Sequence, residues 1–160
     1  MTNLRCVRVL SLLLGLAAAG WMHPSAGQST AAAALPTRVT ITDQQIGSGR
    51  EIRSGMFAVL HYIGWVFDPA AADGKGKQFV NSRERGESLS YVFGYGRAVR
   101  GLERGMEGMK AGGKRTIVIP AKLGYDGFKH PYPPEVPKDS ALVFEVELID
   151  VVPQGAPPDQ

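Results

Sequence analysis

The stretch 96-GRAVRGLERGMEGMKAGG-113 holds the one strong helical signal in this chain, and its reading decides the fold. Val99, Leu102, Met106 and Met109 are spaced three, four and three apart, the stripe of an amphipathic helix. The spacing predicts a helix over about residues 97–110. Gly101, Gly105 and Gly108 interrupt it, and an interior glycine costs a helix about 1 kcal/mol relative to alanine. On a helical wheel the three fall within about 60° of one another, beside the apolar stripe. Glycines along one stripe would let the helix backbone approach a sheet closely.

Strand signals surround this helix. In 141-ALVFEVELIDV-151, Leu142, Phe144, Val146 and Leu148 alternate with Val143, Glu145, Glu147 and Ile149. Period two predicts a strand with one buried face. The run 56-MFAVLHYIGWVF-67 is β-branched and aromatic and predicts a long strand. The runs 37-TRVTIT-42, 88-SLSYVF-93 and 114-KRTIVIP-120 predict three more. Many antiparallel strands and one helix give an α+β class, the helix packed across one face of a curved sheet. The stretch 68-DPAAADGKGK-77 reads as a hairpin connection. Residues 121–140 read as a long loop stiffened by Pro131, Pro133, Pro134 and Pro137, and loops of that length are usually functional.

The ends read differently. Arg5 and Arg8 precede the apolar run 9-VLSLLLGLAAAG-20, which is short for a membrane span of about 20 residues. A basic start, a short apolar core and small residues predict a signal peptide over 1–27, cut before Gln28 or near Ala19. The expected location is periplasmic or secreted, with an inner-membrane anchor as the alternative if the segment is kept. Residues 28–36 read as a flexible leader, 37–151 as a single domain and 152–160 as a disordered tail.

Composition narrows the function. The chain has 160 residues, 44% hydrophobic and 21% charged, as soluble globular proteins do. Removing 1–27 lowers the basic count from 18 to 16 against 15 acids. With no basic stripe, no nucleic-acid partner is expected. The one cysteine, Cys6, lies before the apolar run, so the mature chain needs no disulfide. His23, His61 and His130 are scattered, and no metal is expected. No G-x-S-x-G elbow occurs, and 94-GYGRAVRG-101 lacks the phosphate-loop spacing. Glu145 and Glu147 read as a solvated strand face. Tyr62, Phe79, Tyr91, Tyr125 and Phe144 come from different elements, and on composition alone they read as an ordinary aromatic core.

The order of motifs adds to this reading. The strings 59-VLHYIGWV-66, 79-FVNSRERGESLSYVFGYGRAVRGLERGMEGMKAGGKRTIVIP-120, 124-GYDG-127 and 141-ALVFEVELIDV-151 closely resemble the FKBP-type peptidyl-prolyl cis–trans isomerases, the macrolide-binding immunophilins. The resemblance spans about residues 37–151. It implies a half-barrel of five or six antiparallel strands around one short helix. It also implies a rotamase that binds proline without a cofactor, nucleophile or metal. The residues carried over as catalytic are Tyr62, Phe79, Val99, Leu102, Tyr125 and Phe144. Leu89, Tyr91, Ala98, Val136 and Val80 are carried over as substrate-binding. In this likeness Leu102 is the pocket floor, Tyr125 offers its hydroxyl, and the Val99 N–H bonds a ligand carbonyl. The implied partners are proline-containing polypeptides and macrolide inhibitors. With no dimerisation segment read before the domain, a monomer is expected. One position departs from the pattern: 79-FVNS-82 has Val80 where many active relatives have an aspartate. That change raises an alternative, a non-catalytic proline-binding or chaperone module on the same fold.

Overall fold

In the computed structural model, residues 34–127 and 133–155 are described. The expected signal peptide, residues 28–33 of the leader and the tail from 156 lie outside the described residues, as do Phe128, His130, Pro131 and Tyr132.

Six strands form one antiparallel sheet. Strand β1 is Thr40–Gln45, β2 is Phe57–Phe67 and β3 is Lys75–Asn81. Strand β4 is Leu89–Val92, β5 is Lys114–Ile119 and β6 is Leu142–Val152, with helix α1 at Arg100–Met106. The order across the sheet is β1-β5-β6-β2-β3. Strand β4 shares an edge of β2 with β3: β4 pairs with Phe57–Leu60 and β3 with Ile63–Phe67. The two longest strands, β2 and β6, lie side by side at the centre and pair from Phe57↔Val152 to Val66↔Leu142.

The predicted strands are present with ends shifted by up to three residues. The exception is β3, whose first three residues fall in the stretch read as a hairpin connection. Lys75, Gly76, Lys77 and Gln78 carry no β-branched or aromatic signal, so composition hides the strand. The turn before it closes with Asp68 N–H donating to Gly74 O at 2.9 Å.

Helix α1 is shorter than the expected 97–110, and the glycines explain both its seat and its end. A Cβ on Gly101 would overlap Ile119, with Cβ of that isoleucine 3.1 Å away. A Cβ on Gly105 would meet Ile117 Cδ1 at 2.7 Å. These two glycines seat the helix on β5. Gly108 does not: it has open space around it and φ of +70°. It follows the C-cap Glu107 and turns the chain out of the helix, the usual place for a left-handed glycine. Arg115 on β5 clamps this end, donating to Gly105 O at 2.7 Å and Glu107 O at 3.2 Å, with Asp43 on β1 accepting from its Nε at 2.6 Å. The core lies between helix and sheet, where Leu60, Met106, Ile117, Ile119, Leu142 and Leu148 are fully buried.

Candidate functional site

The site begins with an irregularity in β3. Gly64 faces Val80 and Trp65 faces Gln78, so Phe79 is an extra residue opposite a single step of β2. Such a bulge breaks strict alternation and re-aims a side chain. Phe79 and Val80 are consequently both buried, at 8% exposure each. Gly64 makes room for them. A Cβ there would lie 2.7 Å from Phe79 Cζ, 2.8 Å from Val80 Cγ1 and 2.9 Å from Phe144 Cε1. Three side chains from two strands therefore converge over one glycine.

Aromatic rings build outward from that point. Phe79 stands edge-on to Phe144 at 5.8 Å between centroids and edge-on to Tyr125 at 6.1 Å. Tyr62 packs at 6.3 Å from Phe144. Edge-to-face pairs of this kind are the favoured arrangement of aromatic quadrupoles. Leu102 on the inner side of α1, Val99 at its N-cap and Ala98 before it are buried against the same cluster. Tyr91 and Val136 are buried there too, and the Tyr91 hydroxyl reaches Met106 Sδ at 3.7 Å. Tyr62, Leu89 and Tyr125 are only partly buried. All eleven residues named from the sequence belong to the hydrophobic core or pack on it, with Tyr62, Leu89 and Tyr125 at its partly exposed rim.

Polar groups lie at the rim. The Tyr125 phenol is pushed up to about 12 by burial and by the neighbouring Tyr62, with Arg85 working the other way. It remains an O–H donor throughout the physiological range. The Tyr91 phenol is also raised, mainly by burial and then by Glu103. Val99 accepts from Leu102 N–H at 2.9 Å and Glu103 N–H at 3.2 Å, and a helix supplies no acceptor for the amide of its N-cap residue. Asn81 does not replace a carboxylate at the Val80 position. Its side chain turns outward, donating to Glu84 Oε1 at 2.9 Å and accepting from Arg83 N–H at 3.0 Å.

The other face of the sheet carries charge. Glu145 accepts from Lys75 at 2.8 Å and from Gln44 at 3.0 Å, and Glu147 pairs with Arg83 and with Lys114. These carboxylates are 27% exposed and engaged, rather than simply solvated. His61 is a satisfied sheet residue, 3.0 Å from Ser82 Oγ. That oxygen also accepts from Tyr62 N–H at 2.9 Å, and the direction of its bond with His61 Nδ1 follows the imidazole tautomer. No cluster of metal ligands occurs among the described residues, and no helix among them is long and apolar enough to cross a membrane. Sequence reasoning missed Gly64 and Met106 as parts of the site. The I-G-W context of Gly64 inside a strand was the available signal, since a strand glycine marks close approach.

Comparison with known proteins gives the family and the fold. Residues 48–149 match the family described as FKBP-type peptidyl-prolyl cis-trans isomerase. An FK506-binding protein of Neisseria meningitidis serogroup B is 36% identical over 111 residues, 69% of this chain and 94% of its own length. FK506-binding protein 1 of Aspergillus oryzae is 38% identical over 108 residues, 66% of this chain and 90% of its own. The crystal structure of FkpA from Escherichia coli superposes with a TM-score of 0.59 at 32% identity, covering 77% of this chain and 53% of that one. That of AtFKBP13 gives 0.58 at 30% identity, covering 72% and 94%.

Proposed function

The chain belongs to the FKBP-type peptidyl-prolyl cis–trans isomerase family, and from that premise we propose that it turns X–Pro bonds of exported polypeptides within the Phe79–Tyr125–Phe144 cluster. Its activity is rotation about the peptide bond before proline. The apolar cluster is the proline seat, with Leu102 as floor, and the single observation that carries this is the convergence of Phe79, Val80 and Phe144 over Gly64.

The chemistry follows from the bond. Amide resonance sets a barrier of about 18–20 kcal/mol, and spontaneous exchange takes about 10–100 s. The resonance form separates charge, and water stabilises it better than an apolar wall does. A twisted amide has lost that resonance and suffers less on leaving water. Aromatic walls therefore bind the twisted state in preference to the planar one, and only such differential binding raises the rate. The Val99 N–H and the Tyr125 hydroxyl hold the flanking carbonyls and fix the turn in which the bond rotates. No step requires a cofactor.

The basic, short apolar and small-residue sequence of 1–27 supports export to the periplasm or beyond. FK506, named for the Neisseria and Aspergillus relatives, is expected to compete for the same seat. Val80 favours one second reading, a module that holds proline without turning it. Titrating a short X–Pro peptide into labelled protein tests the seat. Shifts are expected at Tyr62, Val99, Leu102 and Tyr125 and are expected to reverse with FK506. Shifts confined to the charged face around Glu145 and Glu147 would refute it.

A further inference from the structure

Arg85 lies on the turn joining β3 to β4, and the backbone fixes where that turn hangs. Tyr62 lies in the gap between the two stretches of β2 that pair with β3 and β4. Tyr62 N–H donates to Ser82 Oγ at 2.9 Å, and Ser82 N–H donates to Tyr62 O at 3.0 Å. The turn therefore departs from the backbone of the tyrosine whose ring packs on Phe144. Arg85 N–H donates back to Asn81 O at 3.3 Å, two residues past the ring that touches Tyr125.

The other charges on this turn are differently placed. Arg83 is drawn to Glu147 on the outer face, and Glu84 accepts from Asn81. Glu87 is exposed, with its N–H donating to Ser82 O at 3.1 Å. Among the described residues Arg85 is exposed and forms no ion pair. Its charge is felt at Tyr125. Val80, buried beside Phe79, places no carboxylate there to balance it. The turn beside the cluster thus carries an arginine that no ion pair of the described residues engages.

We propose that Arg85 selects among proline-containing substrates, favouring those with a carboxylate beside the proline. The inference rests on the isomerase reading and adds the substrate class to it. An acidic side chain next to the proline would meet the guanidinium across the rim, and a lysine there would meet a like charge. Opposite charges across such a rim interact through water, so the preference is salt-dependent, with screening over about 10 Å at 0.1 M.

The test uses three short peptides with Glu, Ala or Lys immediately before proline. For each, kcat/KM comes from exchange NMR and Kd from shift titration, at about 20 mM and about 500 mM salt. The unaltered chain, R85Q and R85E are compared by ratios within each protein, so that overall changes in activity cancel. The expected Glu-to-Lys ratio is about fivefold in the unaltered chain at low salt. It should shrink at high salt, approach one in R85Q and invert in R85E. A ratio that R85E leaves unchanged, or that salt does not move, overturns the proposal. If no peptide is accelerated, the isomerase reading fails by itself. The Kd order across the three proteins then still decides the role of Arg85.

Discussion

At the scale of single residues, the proposed chemistry turns on Val80 and Tyr125, and the seating of the helix on Gly105. Tyr125 keeps its proton to about pH 12, so deprotonation of this phenol should impose no fall in kcat/KM below about pH 11. Tyr125→Phe removes one neutral hydrogen bond, worth about 0.5–1.5 kcal/mol, and is expected to lower kcat/KM about two- to tenfold. Gly105→Ala sets two effects against each other. Helix propensity would gain about 1 kcal/mol. The new methyl meets Ile117 on β5, and overpacking of this kind costs about 1–3 kcal/mol. A lower melting temperature is expected, partly restored by Ile117→Ala in the same chain relative to Ile117→Ala alone. A clear rise on Gly105→Ala would contradict the seating of the helix. Gly108→Ala acts differently, through a left-handed backbone, at about 1–2 kcal/mol. The sequence pattern grouped all three glycines because a wheel shows direction, whereas the end of the helix is set by the turn at Glu107.

At the scale of elements, the outer face of the sheet makes stability depend on pH. Partial burial works to raise Glu145. The hydrogen bonds from Lys75 and Gln44, together with the Lys75 charge, outweigh it and leave this carboxyl below its ordinary 4.5. Glu147 is lowered from 4.5 in the same way, with Arg83 and Lys114 outweighing burial. Both carboxyls hold a proton less tightly folded than unfolded. Their contribution is complete above the unfolded value and is lost as pH falls below about 4.5 through the folded values. Urea unfolding between pH 7 and 3 should show this loss, with a flatter acid limb in Glu145→Gln. An equal slope in that variant would remove Glu145 from the explanation. The strands themselves separate into readable and hidden. Period two exposed β6, and its β-branched and aromatic run exposed β2. Strand β3 stayed hidden because its first residues are Lys, Gly and Gln and its bulge buries Phe79 and Val80 in succession.

At the scale of the whole molecule, the site is assembled from positions remote in sequence. Phe144 meets Phe79 across β2, Tyr125 meets Phe79 from the turn after β5, and Leu102 arrives on the helix. Local periodicity and composition predict the helix and every strand but β3, yet they contain no term for which elements face one another. The order and spacing of the family motifs offered that information, and the eleven residues they named all lie in the hydrophobic core or pack on it. Gly64 escaped because its role appears only when two strands and a bulge are superposed over it. The central claim is that an apolar cluster, without a carboxylate at position 80, turns X–Pro bonds by binding the twisted amide. The most direct measurement is exchange NMR of a short proline peptide with the unaltered chain beside Val80→Asp. Clear acceleration by the unaltered chain is the result expected. No acceleration, with activity appearing in Val80→Asp, would contradict the account and leave a cluster that holds proline without turning it.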